Sequence, residues 1–298
     1  MAPPLLHRRL IYVTGKGGAG KTTVAAVLAL AARAAGRRTC VVELAGLARV
    51  AAMYGRPRLE GGAEQQLDDG LWTLSIDPEA AVREWFSSLI SRRLADLLVR
   101  SGTFSAFAQA APGARELTEA AKVWDLVQDG RWSGAAPFDV VVVDAASSGH
   151  GLGMLRAPAT FAAIERVGPL GRQAATFRDF LADERATGVV GVAEPAELSV
   201  TEALELEASR PLAAIVANGV MPRRFTRAQL ATVRAAADGP VAAAVELAAE
   251  RVREQQAQLA RLRRQARAPV HSLPLLADDG PGPEACGRLA ARLARALA

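Results

Sequence analysis

The segment Gly15-Lys16-Gly17-Gly18-Ala19-Gly20-Lys21-Thr22-Thr23 decides the fold that this sequence predicts. It follows a short apolar run, Leu10 to Thr14, and precedes an alanine-rich stretch that begins near Gly20. A strand, a glycine-rich loop and a helix in this order are the context that a phosphate-binding loop requires. Glycines allow successive backbone N–H groups to face one anion, and the start of the helix adds the positive end of its dipole. The segment therefore predicts a site for a polyphosphate.

Side chains at the end of the loop suit particular parts of such a ligand. We expect the ammonium group of Lys21 to reach the β- and γ-phosphates, and the hydroxyl of Thr22 to complete the coordination shell of Mg²⁺. Thr23 is expected to pack or to cap the helix. The rest of the predicted cradle is the backbone of Gly15, Gly17, Gly18, Ala19 and Gly20.

A second lysine makes the loop more specific. Lys16 resembles the lysine of the signature-lysine (deviant Walker A) loop, which reaches across a dimer interface to the partner's nucleotide. The chain has 36 lysines and arginines, of which only Lys16, Lys21 and Lys122 are lysines. Two of these three stand in one loop, which indicates that a compact ammonium group is needed there. The resemblance therefore implies a homodimer, or a heterodimer with a related subunit.

Length and composition limit the class of protein. With 298 residues and 50% hydrophobic content, the chain is long enough for one large α/β domain over residues 1–298 or for two small domains, and we favour one. The net charge of +5 invites a nucleic-acid hypothesis. Only 5% of the residues are aromatic, however, and the basic residues are scattered among acidic ones, so nucleic acid is not the expected partner.

Cysteine usage and hydropathy predict a cytoplasmic protein. Cys40 and Cys286 are far apart and in no paired spacing, so they predict neither a disulfide framework nor a thiolate metal site. No stretch approaches the roughly 18 uninterrupted apolar residues of a transmembrane helix. We therefore expect no transmembrane segment.

Short apolar runs alternate with helical stretches along most of the chain. The predicted strands are 10–14, 39–44, 71–76, 138–143, 188–193, 212–217 and 270–273, and the predicted helices are 21–35, 196–209, 226–237, 241–267 and 284–297. Near-continuous apolar strands are typical of a parallel sheet that is covered on both faces. The sequence thus predicts a doubly wound, mostly parallel α/β sheet of the P-loop NTPase class, with ligands beyond the carboxyl ends of its strands. The segment 60–66 is expected to be a mobile loop.

Two segments without strands, about 78–130 and 152–185, are predicted to form an inserted helical lobe. Apolar residues recur in them at three- and four-residue spacing, among them Trp85, Leu89 and Phe177. These stripes either pack against each other and the sheet or form a groove for an apolar helix. The sequence leaves both interpretations open.

Asp144 ends the clearest strand of the chain. A carboxylate at that point, facing the phosphate-binding loop, is where a Walker B acid would hold Mg²⁺, and a strand-end cap is the alternative. The stretch Asp144 to Pro158 resembles the switch II segment, D-x-A-P-T-G-H-x-x-x-x-L-x-x-P, of the arsenical pump-driving ATPase family, which includes targeting factors for tail-anchored membrane proteins. The segments 112–117 and 273–276 and the pair Glu194-Pro195 also fit that family.

The resemblance implies functions for residues far from the loop. Asn218 would hydrogen-bond the edge of adenine, and Pro274 with Leu275 would pack on the base. A turn-forming asparagine is the alternative for Asn218. ATP and Mg²⁺ are the implied ligands, with Thr22 and Asp144 as the metal-binding residues.

One segment departs from the family. In the family's switch I, S-T-D-P-A-H, the Asp positions the attacking water, whereas the run here is Glu43-Leu44-Ala45-Gly46-Leu47-Ala48, with Ala45 at the Asp position. An alanine cannot orient water. Glu43 either reaches the Mg²⁺ shell or the water through its longer side chain, or is simply solvated. Hydrolysis is therefore expected to be slow, or to require a carboxylate from another subunit.

Three functions are compatible with these features. The first is an ATPase whose nucleotide-dependent dimer closure acts on a lobe that binds an apolar helix or a membrane-protein client, with Lys16, Lys21, Asp144 and Glu43 as catalytic residues. The second is a regulatory or assembly subunit with little turnover. The third is a partitioning ATPase of the ParA and septum-site type. The amphipathic end of the chain, 284–298, either packs on the fold or lies on a membrane surface.

Overall fold

The computed structural model describes residues 3–44, 46–89, 113–145, 152–164, 168–236, 239–276 and 282–297. Eight strands of this part form one sheet in the order β3-β4-β2-β5-β1-β6-β7-β8. The strands are β1 Leu10–Gly15, β2 Thr39–Glu43, β3 Gln65–Asp68, β4 Leu71–Ser75, β5 Val140–Asp144, β6 Thr187–Ala193, β7 Ala214–Val220 and β8 Val270–Pro274. Neighbouring strands are parallel except β3, which pairs antiparallel with β4.

Helices connect the strands and cover both faces of the sheet. They are α1 Lys21–Ala34, α2 Arg49–Met53, α3 Pro78–Leu89, α4 Ala114–Leu126, α5 Gly153–Ile164, α6 Pro169–Ala182, α7 Glu197–Ser209, α8 Arg227–Ala236, α9 Pro240–Gln265 and α10 Pro283–Leu297. Every residue of β1, β2, β5 and β6 is buried, as expected for strands covered on both sides. The predicted doubly wound α/β fold is therefore confirmed.

Alternate residues of the central strands face two different cores. Ile11 and Val13 of β1 pack with α1 and α10, whereas Leu10 and Tyr12 pack with α4, α5 and α6 on the opposite face. The apolar side of α10 is buried against this first core through Ala285, Cys286, Leu289, Ala290 and Leu293. Packing on the fold therefore accounts for the amphipathic pattern of the terminal helix.

The segment that leads into the edge strand β3 differs from the loop that the sequence predicts for 60–66. The segment 60–66 is not a loop throughout, because 60–62 form a 3₁₀ turn and Gln65 begins β3. Only Leu67 is buried in this strand, so its backbone pairing with β4, rather than an apolar pattern, defines it.

Four helices share a third apolar cluster beside the sheet. They are α3, α4, α5 and α6, and their buried members are Trp85, Leu117, Ala121, Ala157, Ala174 and Phe177. The other side of α4 packs on the sheet through Ala120, Val123 and Leu126. Thus α4 joins the helical cluster to the sheet. The predicted lobe residues 90–112 lie outside the described part, and the one-domain organisation stays a prediction.

Candidate nucleotide site

Parallel strands bring the predicted site residues to one edge of the sheet. In the register of β2 and β5, Glu43 lies directly beside Asp144, and Val13 of β1 is the neighbour of Asp144 on the other side. The loop 15–20 follows β1 at the same edge, and Asn218 lies near the carboxyl end of β7. The candidate site is therefore assembled from strand ends, where a doubly wound sheet binds its ligands.

The loop 15–20 has the backbone shape that its glycines permit. Gly15 has φ +151° and lies so close to β6 that a Cβ atom would be 2.2 Å from the carbonyl oxygen of Val192. Gly20 has φ +83°, and its Cβ would be 2.2 Å from Nδ2 of Asn218. Side chains are thus excluded at both ends of the loop. Gly17 and Gly18 form its exposed tip, and Ala19 is buried.

Thr22 and Asp144 meet beneath the loop. The Thr22 hydroxyl donates a hydrogen bond of 2.6 Å to Oδ2 of Asp144, and the two residues are only 9% and 8% exposed. Burial raises the pKa of Asp144, while the hydrogen bond from Thr22 and the positive charges of Lys21 and Arg49 act in the opposite direction. A hydroxyl and a carboxylate oxygen held this close are suited to one small, hard cation.

Lys21 lies in the same buried region, at the first position of α1. Its ammonium group donates a 3.1 Å hydrogen bond to the carbonyl oxygen of Lys16. The side chain of Lys21 therefore reaches back to the beginning of the loop. Burial lowers the pKa of Lys21, Asp144 raises it, and Arg49 lowers it. Thr23, the third residue of α1, is partly buried.

Lys16 points into its own subunit. Its Nζ atom is 3.4 Å from Oε1 of Glu202, a residue of α7 that the sequence did not single out. The two residues are distant in the chain and belong to no common motif. No local pattern in the sequence signals their pairing.

Glu43 holds the segment that follows β2. Its Oε1 accepts a 2.7 Å hydrogen bond from the backbone N–H of Arg49, and its Oε2 accepts one of 3.3 Å from Val50. The carboxylate therefore caps α2, where Ala48 has a left-handed φ of +48°. Glu43 is 2% exposed, and burial raises its pKa. Its part in catalysis stays a prediction, and Ala45 lies outside the described residues.

Asn218 contacts the loop from the opposite side. Its Nδ2 donates a 3.0 Å hydrogen bond to the carbonyl oxygen of Ala19. The backbone N–H of Leu275 donates to the carbonyl oxygen of Val220, which ties the end of β8 to β7 beside Pro274. Leu275 is 52% exposed and lines a cavity of about 720 Å³ between α8 and α9. The adenine contacts of these residues stay predictions.

The start of α4 touches the segment that follows β2 and the start of α5. Arg115 donates from Nη2 to the carbonyl oxygen of Leu44, at 3.3 Å, and from Nε to Glu119, at 3.0 Å. Glu116 packs so closely on Gly153, at the start of α5, that a Cβ there would be 2.9 Å from Cγ of Glu116. The sequence singled out 112–117 only by its resemblance to a family segment and predicted neither contact. The predicted switch II residues 146–151 lie outside the described part.

Both cysteines lie in the apolar cores, Cys286 on one face of the sheet and Cys40 on the other. Cys40 and Cys286 form no disulfide among the residues that the structure describes, and burial raises the pKa of each thiol. Within the described residues, no group of three or more His, Cys, Asp and Glu side chains is arranged to hold a metal ion. Among the helices of the same residues, none has the length and apolar composition needed to cross a bilayer.

The sequence is similar to known ATPases. The sequence profile of the anion-transporting ATPase family matches residues 8–168, more than half of the chain, which include the loop, Glu43 and Asp144. ATPase BagA of Mycobacterium tuberculosis is 29% identical over 242 residues, which are 78% of this chain and 70% of that protein. ATPase ARSA1 of Chlamydomonas reinhardtii is 32% identical over 182 residues, which are 51% of this chain and 22% of that protein. This chain belongs to the anion-transporting ATPase family, the arsenical pump-driving type that its loop and its Asp144 segment indicated.

Proposed function

We propose that the protein binds ATP with Mg²⁺ in the loop 15–23 and hydrolyses it slowly, and that two subunits close around the nucleotide. The pairing of Thr22 with Asp144 carries the proposal. Their oxygens are 2.6 Å apart and buried at the foot of the loop, and both are ligands of the type that Mg²⁺ prefers. The residues present therefore fit the metal. Bound Mg²⁺ would supply neutralisation of charge on the phosphates.

The loop's own groups would bind and orient the triphosphate. Lys21 donates to the carbonyl oxygen of Lys16, and it would exchange this acceptor for a phosphate oxygen when the nucleotide binds. Gly17 and Gly18 form the exposed tip of the loop, and backbone N–H groups in such a loop suit a multiply charged anion. The base would lie toward Asn218 and Leu275, at the ends of β7 and β8.

Slow hydrolysis follows from the segment after β2. Ala45 supplies no carboxylate, and both oxygens of Glu43 accept backbone N–H groups at the start of α2. A carboxylate used to cap a helix is poorly placed to act as a general base. The same contacts support the second candidate, a regulatory subunit that binds ATP with little turnover.

Single-turnover hydrolysis of ATP with Mg²⁺ would separate these two candidates. We expect slow but measurable hydrolysis by the native protein, and a faster rate in Ala45→Asp, because a carboxylate returns to the position that orients water. A rate no higher than that of a Lys21→Ala control would contradict hydrolysis and favour the regulatory subunit. Brisk native turnover, unaffected by Ala45→Asp, would contradict the importance that we give to residue 45.

Nucleotide binding would be coupled to the helical cluster through α4. Arg115 holds the carbonyl oxygen of Leu44, and Glu116 packs on the start of α5, so a shift of either neighbouring segment moves the same helix. We propose that an apolar helix is the client of this lobe. Hydrogen exchange in α3 and α4 is expected to change when a slowly hydrolysed ATP analogue binds. Unchanged exchange in both helices, with the analogue bound, would contradict the coupling.

A further inference from the structure

Glu202 lies opposite the signature lysine within one subunit. Its Oε1 is 3.4 Å from Nζ of Lys16, and each side chain is 31% exposed, so the pair is partly withdrawn from water. The other oxygen, Oε2, is buried and accepts no hydrogen bond from the residues that the structure describes. The carboxylate is therefore incompletely satisfied, and Lys16 supplies a close positive charge.

This ion pair competes with the contact that a signature lysine makes with the nucleotide of the partner subunit, which the resemblance implies for Lys16 and which the proposed closure of two subunits requires. An ammonium group is a compact point charge on a flexible stem. If Lys16 extends to the phosphates of a neighbouring subunit's nucleotide, it must leave Glu202. The carboxylate then loses a close counter-charge while one of its oxygens is buried, which is unfavourable. Two mutually exclusive contacts make Lys16 an element with two states.

We propose that Glu202 is the positioning residue of Lys16, holding the lysine inside the free subunit and releasing it when two ATP-bound subunits close. The inference rests on the proposed contact of Lys16 with the partner's nucleotide. The ion pair stabilises the free subunit relative to the dimer. Glu202 thus raises the protein concentration at which ATP-bound subunits associate.

The size of this effect follows from the exposure of the pair. For a partly exposed ion pair, the equilibrium between the paired and the separated side chains favours the paired state by about two- to fivefold. A symmetric dimer would break one pair in each subunit, so the factors multiply. Glu202→Gln should therefore tighten ATP-dependent dimerisation by about four- to 25-fold.

Labelling of lysines tests the contact in the free subunit. The chain has only Lys16, Lys21 and Lys122, so limited reductive methylation followed by mass spectrometry reads each amine separately. Without nucleotide, Lys16 should react several times faster in Glu202→Gln than in the native protein, while Lys122 reacts at the same rate in both. The shorter carboxylate of Glu202→Asp should give an intermediate rate, which also guards against a folding defect in one variant.

A matched control is available on the same helix. Glu205 is exposed, and Glu205→Gln removes the same charge from α7, so it should label and dimerise as the native protein does. An unchanged rate of Lys16 labelling in Glu202→Gln would overturn the proposal. Equal acceleration by Glu205→Gln would also overturn it, because the effect would then be one of net charge.

Sedimentation velocity with Mg²⁺ and a slowly hydrolysed ATP analogue tests the release. We expect the dissociation constant of the dimer to fall about four- to 25-fold in Glu202→Gln. If the native protein dimerises and Glu202→Gln dimerises equally or more weakly, the role of Glu202 is wrong and the proposed function stands. If the native protein binds the analogue but stays monomeric, the proposed dimer is wrong, and the release with it.

Discussion

The native protein should become less stable as the pH rises because Glu119 ionises, and Glu119→Gln should prevent this destabilisation. Glu119 lies in α4, is 6% exposed, and accepts a 3.0 Å hydrogen bond from Nε of Arg115. Burial raises its pKa to about 7, although the hydrogen bond and charge of Arg115 lower it, and nearby Glu116 raises it further. The folded protein therefore favours the neutral acid.

The sign of the effect follows from proton binding. The glutamic acid has an ordinary pKa of 4.5, so between pH 4.5 and about 7 the folded state holds a proton that the unfolded chain has released. This contribution to stability is complete below pH 4.5 and is lost as the pH rises through 7. Raising the pKa of Glu119 from 4.5 to about 7 corresponds to about 3 kcal/mol of stability. Gln at this position stays neutral and still accepts a hydrogen bond from Arg115.

Urea unfolding at pH 5, 6, 7 and 8, at constant ionic strength, measures the effect. We expect Glu119→Gln to match the native protein, or to be slightly less stable, at pH 5. At pH 8 it should be more stable by up to about 3 kcal/mol. Glu205→Gln, an exposed substitution, should follow the native curve at every pH. Parallel curves for Glu119→Gln and the native protein would refute a buried carboxyl that titrates near pH 7.

Two further substitutions test the loop. Asn218→Ala removes the hydrogen bond to the carbonyl oxygen of Ala19, worth about 1 kcal/mol, so calorimetry should show ATP binding about fivefold weaker; unchanged affinity would contradict a positioning role for Asn218. Gly15→Ala places a Cβ 2.2 Å from the carbonyl oxygen of Val192 at φ +151°, so we expect a loss of several kcal/mol in thermal or urea unfolding. Native stability in Gly15→Ala would mean that β1 and β6 are not packed as described.

The parallel core of the sheet could be predicted because its signal is local. A strand buried on both faces must be apolar throughout, and β1, β2, β5 and β6 are such runs. By contrast, β3 has one buried side chain, Leu67, so its hydrogen bonds to β4 leave little trace in the sequence. The expectation of a loop throughout 60–66 was wrong for this reason.

In the candidate site, too, the features within one continuous segment could be predicted and the contacts between distant segments could not. The loop 15–23 is recognisable because its glycines and its two lysines stand in one continuous segment. The contact of Lys16 with Glu202 joins α7 to the loop after β1, and the contact of Asn218 with Ala19 joins β7 to that loop. Such pairs depend on the order of strands in the sheet, which no short motif encodes. The sequence identifies Glu43 as a candidate catalytic residue. Its capping of α2 could not be predicted, because it depends on the path of the chain after β2.

Calorimetric titration of the native protein with ATP in the presence of Mg²⁺ tests the central claim most directly. We expect measurable heat and saturable binding, and no detectable binding by Lys21→Ala, whose loop lacks the buried ammonium group. Absence of heat in the native protein, or the same affinity in Lys21→Ala, would contradict the account.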